Sequence, residues 1–346
     1  MNGLTFSVGF DAHAGHPPRR PWWAAVVGCT LLMLAVPLYG DMALQLDLSL
    51  VFILSLLALS MAFLWGYVGI LSFGQTIFFG LGGYTYALFS LNTGMAGIAF
   101  ALAVVVPMLF ALVLGYFMMF GRISDIYLSV ITLVVTLIFE KAVRATSGPQ
   151  YVIGSVRLNG QNGIPGVPGL PVQVGPIDLQ SIDGIFYLAL FFLVVVYVGI
   201  RLFLASTTGR VLVGLRENES RMELLGYDSR LYKLLAFVIA GGIAGLAGGL
   251  YALWGSFVGP EMFGLNQAAM VVIWVIVGGR STLLGPIIGT LLIQYLTTWL
   301  GTVGVGQVTL ILGFILVLCV LLFPQGLVPM LRGVVGRVLP QKAQED

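Results

Sequence analysis

The densest group of charged side chains in this sequence lies in one short polar segment, residues 205–231. The group comprises Arg216, Glu217, Glu219, Arg221, Glu223 and the turn-forming Gly226. Interspersed apolar residues predict a short amphipathic helix that Gly226 ends. Charges of both signs on one helix suit a specific protein partner better than anionic lipid, for which mainly Lys and Arg would be expected. A solvated helix at the membrane interface is the alternative.

A second group of polar side chains forms a stripe. It consists of Ser129, Thr132, Thr136, Glu140 and Arg144. Spacings of three and four residues place them on one helical face, which in lipid is expected to point inward. The stripe either lines a path for a small polar solute or consists of hydroxyls bonded to their own helix, beside a Glu140–Arg144 ion pair. Gln294 belongs to a weaker stripe of the same kind.

Two glycine-rich stretches, 65–74 and 278–289, interrupt predicted helices in the two halves of the chain. Breaks at comparable places favour a translocation site, because free backbone groups at membrane depth need a polar cavity. Ser72 and Gln75, at the end of the first stretch, are therefore candidates for the path. Simple turns between membrane spans are the alternative.

Three further glycines recur every four residues: Gly241, Gly245 and Gly249. They share one face of a predicted helix and lack side chains, so a neighbouring helix can approach closely. We predict a packing role for them.

Several kinds of chemistry are not expected in this chain. It contains no G-x-x-x-x-G-K-[ST] motif, so no nucleotide site is predicted. His13, His16, Cys29 and Cys319 lack metal-ligand spacing, and neither a metal nor another cofactor is predicted. No Asp or Glu falls in the middle of a predicted span, which disfavours ion coupling. No paired carboxylates or Ser/Lys dyad lies within the spans, so no catalytic residue is assigned.

The composition places these residues in a membrane. The chain is 59% hydrophobic and 9% charged, and it has no Lys, Arg, Asp or Glu between Asp47 and Arg122. Long continuous apolar runs predict an all-α, polytopic transmembrane helix bundle of about ten spans, with a range of 8–10. The predicted spans are 22–40, 48–65, 70–91, 96–120, 126–145, 185–204, 232–253, 267–279, 284–303 and 307–323.

The distribution of Lys and Arg predicts that both termini are cytoplasmic. The predicted organisation is a polar cytoplasmic tail at 1–21, a membrane domain at 22–330 and a second cytoplasmic tail at 331–346. Within the membrane domain, 146–184 is a periplasmic segment and 205–231 a cytoplasmic loop. Segment 146–184 is rich in Gly and Pro and forms either a plain connector or a docking surface or lid. The basic residues are dispersed, so no nucleic-acid partner is expected.

Four stretches of the sequence resemble the branched-chain amino acid permease family. They are 208–252 (TGRVLVGLRENESRMELLGYDSRLYKLLAFVIAGGIAGLAGGLYA), 56–88, 275–293 and 158–169 (LNGQNGIPGVPG). Their order and spacing fit the family over roughly residues 45–330.

The resemblance implies an ATP-binding-cassette importer in the bacterial inner membrane. Two permease subunits, identical or paralogous, would pair with two cytoplasmic ATPases, which bind ATP and Mg²⁺, and a periplasmic binding protein would deliver the solute. By matching position, residues 216–226 would couple the permease to the ATPase. Hydrophobic amino acids are the expected solutes, and urea or short amides are the alternative within the family. A stand-alone channel is a second alternative, disfavoured by the charged loop.

Overall fold

The structure, a computed structural model, describes residues 20–121, 123–171, 173–174, 177–302, 310–311, 313–314, 317 and 326–330. The tail predicted at 331–346, nearly all of the tail predicted at 1–21 and most of the span predicted at 307–323 lie outside the described residues.

Helices dominate the described part of the chain. In order they are α1 (Arg20–Leu34), α2 (Val36–Tyr39), α3 (Met42–Ala62), α4 (Gln75–Thr93), α5 (Ala96–Phe120), α6 (Asp125–Ala145), α7 (Ile182–Ala205), α8 (Thr207–Glu217), α9 (Glu219–Leu224), α10 (Ser229–Gly255), α11 (Leu265–Gly278) and α12 (Leu284–Thr302). The π-helix Phe63–Val68 continues α3. Short 3₁₀ helices cover Gly160–Asn162 and Pro260–Phe263.

Six of the described helices are long and apolar enough to cross a membrane. They are Met42–Val68, Ala96–Phe120, Ile126–Ala145, Ile182–Ala205, Ser229–Gly255 and Leu284–Thr302. The chain is therefore a polytopic helical protein. Helix α11, with 14 residues, is shorter than a usual span. The count of ten spans and the side of the termini stay predictions.

Helices α3 and α10 form the centre of the bundle. The apolar window of α3 is 83% buried and that of α10 is 72% buried, whereas those of α5 and α6 are each 22% buried. Helix α10 packs against α3, α4 and α5. Because lipid supplies no hydrophobic drive between helices, close fit decides which faces meet.

The three glycines spaced by four on α10 all face α5. A Cβ placed on Gly241 would lie 2.7 Å from the Cβ of Ala111. A Cβ placed on Gly249 would lie 3.0 Å from the Cβ of Ala103. At Gly245 the nearest atom would be the Ala103 carbonyl oxygen, at 2.6 Å. The two backbones are thus too close to admit a side chain at Gly245.

Among the described residues, six two-residue strands lie in or beside the segment 146–184. They are β1 (Val152–Ile153), β2 (Val156–Arg157), β3 (Ile164–Pro165), β4 (Gln173–Val174), β5 (Ile177–Asp178) and β6 (Phe257–Val258). β1–β2 and β4–β5 are antiparallel pairs within the segment. β3 pairs with β6, which follows α10. This cap covers the end of the bundle where α6 ends and α7 begins, opposite α8 and α9.

Replacing Gly245 with Leu is expected to lower thermal stability in detergent, because the new side chain would collide with the Ala103 carbonyl and with Pro107. Overpacking of this kind costs about 1–3 kcal/mol. Gly199→Leu is the matched control, since a Cβ at this position on α7 meets nothing within 4 Å. The measurement is the fraction of monodisperse protein that survives stepwise heating. Equal survival of the two variants would contradict the packing role.

Candidate functional site

The membrane helix α3 is interrupted where the sequence predicts a break. Its π-helical extension ends at Gly69, whose φ of 89° is left-handed and favours glycine. Residues 69–74 are not helical, and α4 begins only at Gln75. Ile70 N–H still donates to the Leu64 carbonyl oxygen at 3.1 Å. The backbone groups that follow need other partners, because lipid offers none.

The hydroxyl stripe of α6 supplies those partners. Ser129 Oγ donates to the Leu71 carbonyl oxygen at 2.7 Å. Phe73 N–H donates to Thr132 Oγ1 at 3.2 Å, and Thr136 Oγ1 lies 3.4 Å from the Phe73 carbonyl oxygen. Both threonines are fully buried. The hydroxyls of Thr132 and Thr136 also donate to their own helix, at 2.9 and 2.7 Å. The stripe therefore bonds its own helix and holds the interrupted segment as well.

Ser72 and Gln75 lie in the same buried region. Ser72 Oγ accepts a hydrogen bond from Gly74 N–H at 3.2 Å. Ser60 Oγ donates to Gln75 Oε1 at 3.0 Å. Gln75 is 1% exposed, and among the described residues its Nε2 has no partner. An unsatisfied buried donor costs about 1–3 kcal/mol, so this amide is the group of the region best suited to meet a polar solute or water.

Helix α8 reaches the interrupted helix through Arg216. The Arg216 guanidinium donates to the Gly66 carbonyl oxygen within the π-helix. A Cβ on Gly69 would lie 3.1 Å from Arg216 Cγ. Burial lowers the pKa of Arg216, the Glu217 carboxylate opposes this shift, and Arg280 adds to it. A half-buried guanidinium is thus held against a helix carbonyl at the break.

The second glycine-rich stretch meets the first at the same place. Tyr67 hydroxyl donates to the Ser281 carbonyl oxygen at 3.4 Å. The Arg280 guanidinium lies 5.1 Å from the centre of the Trp65 ring, a cation–π distance. We call the group of Trp65–Gly69, Arg216 and Arg280–Ser281 the junction. It joins α8, the end of α3 and the connection between α11 and α12.

The connection between α11 and α12 is a tight turn. A Cβ on Gly278 would lie 1.9 Å from the Gly285 carbonyl oxygen, and one on Gly289 would lie 2.1 Å from the Trp274 carbonyl oxygen. Gly285 N–H donates to Thr282 Oγ1 at 3.1 Å. The stretch 278–289 is therefore both a turn between two helices and a part of the junction. Gln294 lies elsewhere: it is half-buried on α12, which packs against α3 and α11.

The charged segment forms two helices where the sequence predicts one. Asn218 separates α8 from α9, and its side chain accepts a hydrogen bond from Arg221 N–H at 2.9 Å. Asn is a preferred N-cap, so the second helix starts anew at this residue. Gly226 follows α9 with a φ of 90°, which suits a residue that ends a helix.

Two carboxylates of the segment bind the bundle. Glu219 pairs with Lys233 of α10 at 2.8 Å, and Glu223 accepts a hydrogen bond from Ser229 Oγ at 2.6 Å. Glu217 and Arg221 of the same segment are exposed. Two leucines beside them, Leu224 and Leu225, are 88% and 68% exposed. The outer surface of α8 and α9 thus combines an apolar pair with charges of both signs.

Sequence reasoning missed the inward direction of Arg216 and the contribution of Ser60. A signal for Arg216 was present. Leu212 is fully buried on α8, and Arg216 follows it by one helical turn on the same face. No such periodic signal identifies Ser60, because α3 is apolar and buried around most of its circumference.

The chain is thus a multi-pass helical membrane protein with an interrupted helix, which is contacted by buried hydroxyls of α6 and by α8 of the charged segment. The profile of the family described as "branched-chain amino acid transport system / permease component" matches residues 46–321. The chain therefore belongs to this family, and the resemblance drawn from its sequence is confirmed. Subunits of this family are generally non-catalytic.

Two curated relatives carry the name "high-affinity branched-chain amino acid transport system permease protein LivM". The one from Escherichia coli K12 is 28% identical over 308 residues, which is 82% of this chain and 69% of the relative. The one from Salmonella typhimurium is 28% identical over 290 residues, which is 77% of this chain and 65% of the relative. No solved structure matches the chain.

Thr132→Val is expected to destabilise the protein and to slow transport, because it leaves the Phe73 N–H without its partner in a buried site. The cost of such a loss is about 1–3 kcal/mol. Thr290→Val is the matched control: Thr290 is equally buried, and its hydroxyl donates only within α12, to the Pro286 carbonyl oxygen. Thermal midpoints and uptake rates of the two variants provide the comparison. Equal thermal midpoints and uptake rates in the two variants would show that the bonds of the stripe within its own helix are the ones that matter.

Proposed function

We propose that this chain is a transmembrane permease subunit of an ATP-binding-cassette importer in the bacterial inner membrane. It forms the path for branched-chain and other hydrophobic amino acids. The observation that carries the proposal is the junction, in which a helix outside the long apolar spans bonds directly to an interrupted membrane helix through Arg216. A channel that is not driven by an ATPase would not need the contact between Arg216 and Gly66. Family membership supports the same conclusion.

ATP hydrolysis takes place in separate subunits. The chain has no P-loop motif, so ATP and Mg²⁺ bind to two cytoplasmic ATPases. The docking surface that we propose for them comprises Glu217, Arg221, Leu224 and Leu225. An exposed apolar pair bordered by charges has the composition of a protein interface, with a hydrophobic centre and a polar rim. Glu219 and Glu223 fasten this surface to α10.

Two sets of hydrogen bonds then transmit movement of the docking surface to the translocation path. Arg216 is not part of the outer surface; it couples α8 to Gly66 and Gly69. The hydroxyls of α6 couple the adjoining segment to a third helix. A shift of α8 therefore alters the interrupted segment and the environment of the Gln75 amide. Ser72, Gln75, Ser129, Thr132 and Thr136 are the residues that we place at the path, with Gln294 a weaker candidate.

The remaining partners follow from the architecture of such importers. A second permease subunit, a copy or a paralogue, packs on the apolar faces that α5 and α6 expose. A periplasmic binding protein docks on the cap formed by 146–184, which lies at the end opposite α8 and α9. With this orientation both termini are cytoplasmic. Import of urea or short amides through the same architecture is the alternative.

The test is purification of the chain from its native membrane in mild detergent, followed by mass spectrometry of what accompanies it. Recovery of a cytoplasmic ATPase and a second multi-pass chain is expected. Recovery of this chain alone, as a stable homo-oligomer, would contradict the proposal and favour a stand-alone channel.

Charge reversal on the docking surface is expected to uncouple the importer. Glu217→Lys and Arg221→Glu should each reduce uptake by at least tenfold while leaving the thermal midpoint unchanged, because both side chains are exposed. Asp41→Lys is the control for expression and insertion, because Asp41 is exposed and lies before α3, outside both the cap and the docking surface. Uptake and ATP hydrolysis are measured together in proteoliposomes. Normal uptake in both variants would count against the docking role.

A further inference from the structure

A cavity of about 340 Å³ lies at the cap end of the bundle, on the side opposite the junction. Its walls come from α4, from the last turns of α6 and α10, from the 3₁₀ helix Pro260–Phe263 and from the first turn of α11. The charged residues that line it are Glu140, Arg144 and Glu261, and the main apolar ones are Phe79, Tyr251 and Met262. Its size is in the range of small-molecule sites.

The charges of this cavity are incompletely paired. Arg144 Nε binds Glu140 Oε1 at 2.9 Å, and the two side chains are 34% and 14% exposed. Among the described residues, the terminal nitrogens of Arg144 have no further hydrogen bond. Glu261 is exposed to solvent, and within the same residues its carboxylate makes no hydrogen bond. The cavity therefore presents free guanidinium donors and a free carboxylate to whatever occupies it.

A further feature of the lining favours a negative group in the cavity. The first turn of α11 lines the cavity, and its N-cap Gly264 provides no side-chain acceptor for the free amides. Amides at a helix N-terminus favour a negative group.

We infer that this cavity is a binding site for a zwitterionic amino acid with an apolar side chain. The ligand carboxylate pairs with the terminal nitrogens of Arg144, a charge-assisted geometry that guanidinium favours. The ligand ammonium pairs with Glu261, and the side chain packs against Phe79, Tyr251 and Met262. A neutral amide such as urea would leave both charges unpaired, which is a basis for rejecting it. The inference rests on the proposed function, in which a solute enters from the cap end.

The test uses the full chain with its co-purified partners in lipid nanodiscs and measures binding of radiolabelled L-leucine. Competitors are unlabelled L-leucine, 4-methylpentanoate, 3-methylbutylamine and urea, which carry both charges, the carboxylate alone, the ammonium alone and neither. We expect L-leucine to compete at least tenfold better than the other three. Equal competition by 4-methylpentanoate or 3-methylbutylamine would overturn the inference.

Variants assign the binding to this cavity. Arg144→Gln and Glu261→Gln are each expected to weaken L-leucine binding at least tenfold, and Arg144→Lys, which keeps the charge, to weaken it less. Lys141→Gln removes a neighbouring exposed charge of α6 that does not line the cavity, and it should bind normally. Unchanged affinity in both Arg144→Gln and Glu261→Gln would overturn the inference, whatever their stability.

The outcome separates this inference from the proposed function. Normal leucine uptake by the Arg144→Gln and Glu261→Gln variants would be compatible with the proposed importer but would overturn the assignment of this cavity. Recovery of the chain without an ATPase would contradict the importer. Binding of urea without binding of leucine would overturn this site and favour the urea alternative of the proposed importer.

Discussion

A membrane helix can be interrupted only where other parts of the protein satisfy its free backbone groups, because each unsatisfied group in hydrocarbon costs several kcal/mol. In this chain the backbone groups at the interruption, residues 69–74, need such partners. The hydroxyls of α6 bond to Leu71 and Phe73, and Arg216 bonds to Gly66. Helices α6 and α8 therefore supply hydrogen bonds that the break in α3 requires.

Because the free backbone groups of the break bond to other elements, the break also connects those elements. Hydrogen bonds between different elements change when those elements move relative to one another. At the junction, the break meets α8 on one side and the α11–α12 turn on the other. Helix α8, for which we propose a coupling role, is thus bonded directly to the interrupted segment, which is in turn bonded to the α11–α12 turn. At the cap end the described residues form a cavity lined by the Glu140–Arg144 ion pair and by Glu261.

The sequence predicted the local features of this arrangement well. Spacing identified the stripe of Ser129, Thr132 and Thr136, and glycine content identified the two breaks, because periodicity and backbone freedom are local properties. The Glu140–Arg144 pair has the i,i+4 spacing that the sequence predicted. The sequence left open whether the stripe lines a path for a solute or only bonds its own helix. The structure shows the bonds within α6 and also bonds to residues 71–73, which the sequence did not predict. The path itself stays a prediction.

Other features depended on tertiary contacts that no local pattern encodes. Arg216 was grouped with the exposed charges of its segment, but its guanidinium lies against Gly66 because α8 packs on the end of α3. Asn218 divides a segment that amphipathic spacing predicted as one helix, because its side chain caps the second. The meeting of two breaks far apart in sequence, at Tyr67 and Ser281, required the fold.

The most direct test of this account is hydrogen exchange of residues 69–74 in lipid nanodiscs, compared between the wild-type chain and Arg216→Gln. Backbone amides protected by contacts exchange faster when those contacts are lost. If Arg216 couples α8 to the interrupted helix, exchange at 69–74 rises in Arg216→Gln and stays unchanged in Arg221→Gln, whose side chain is exposed. Exchange at 69–74 that is identical in the wild-type chain and in Arg216→Gln would contradict the central claim.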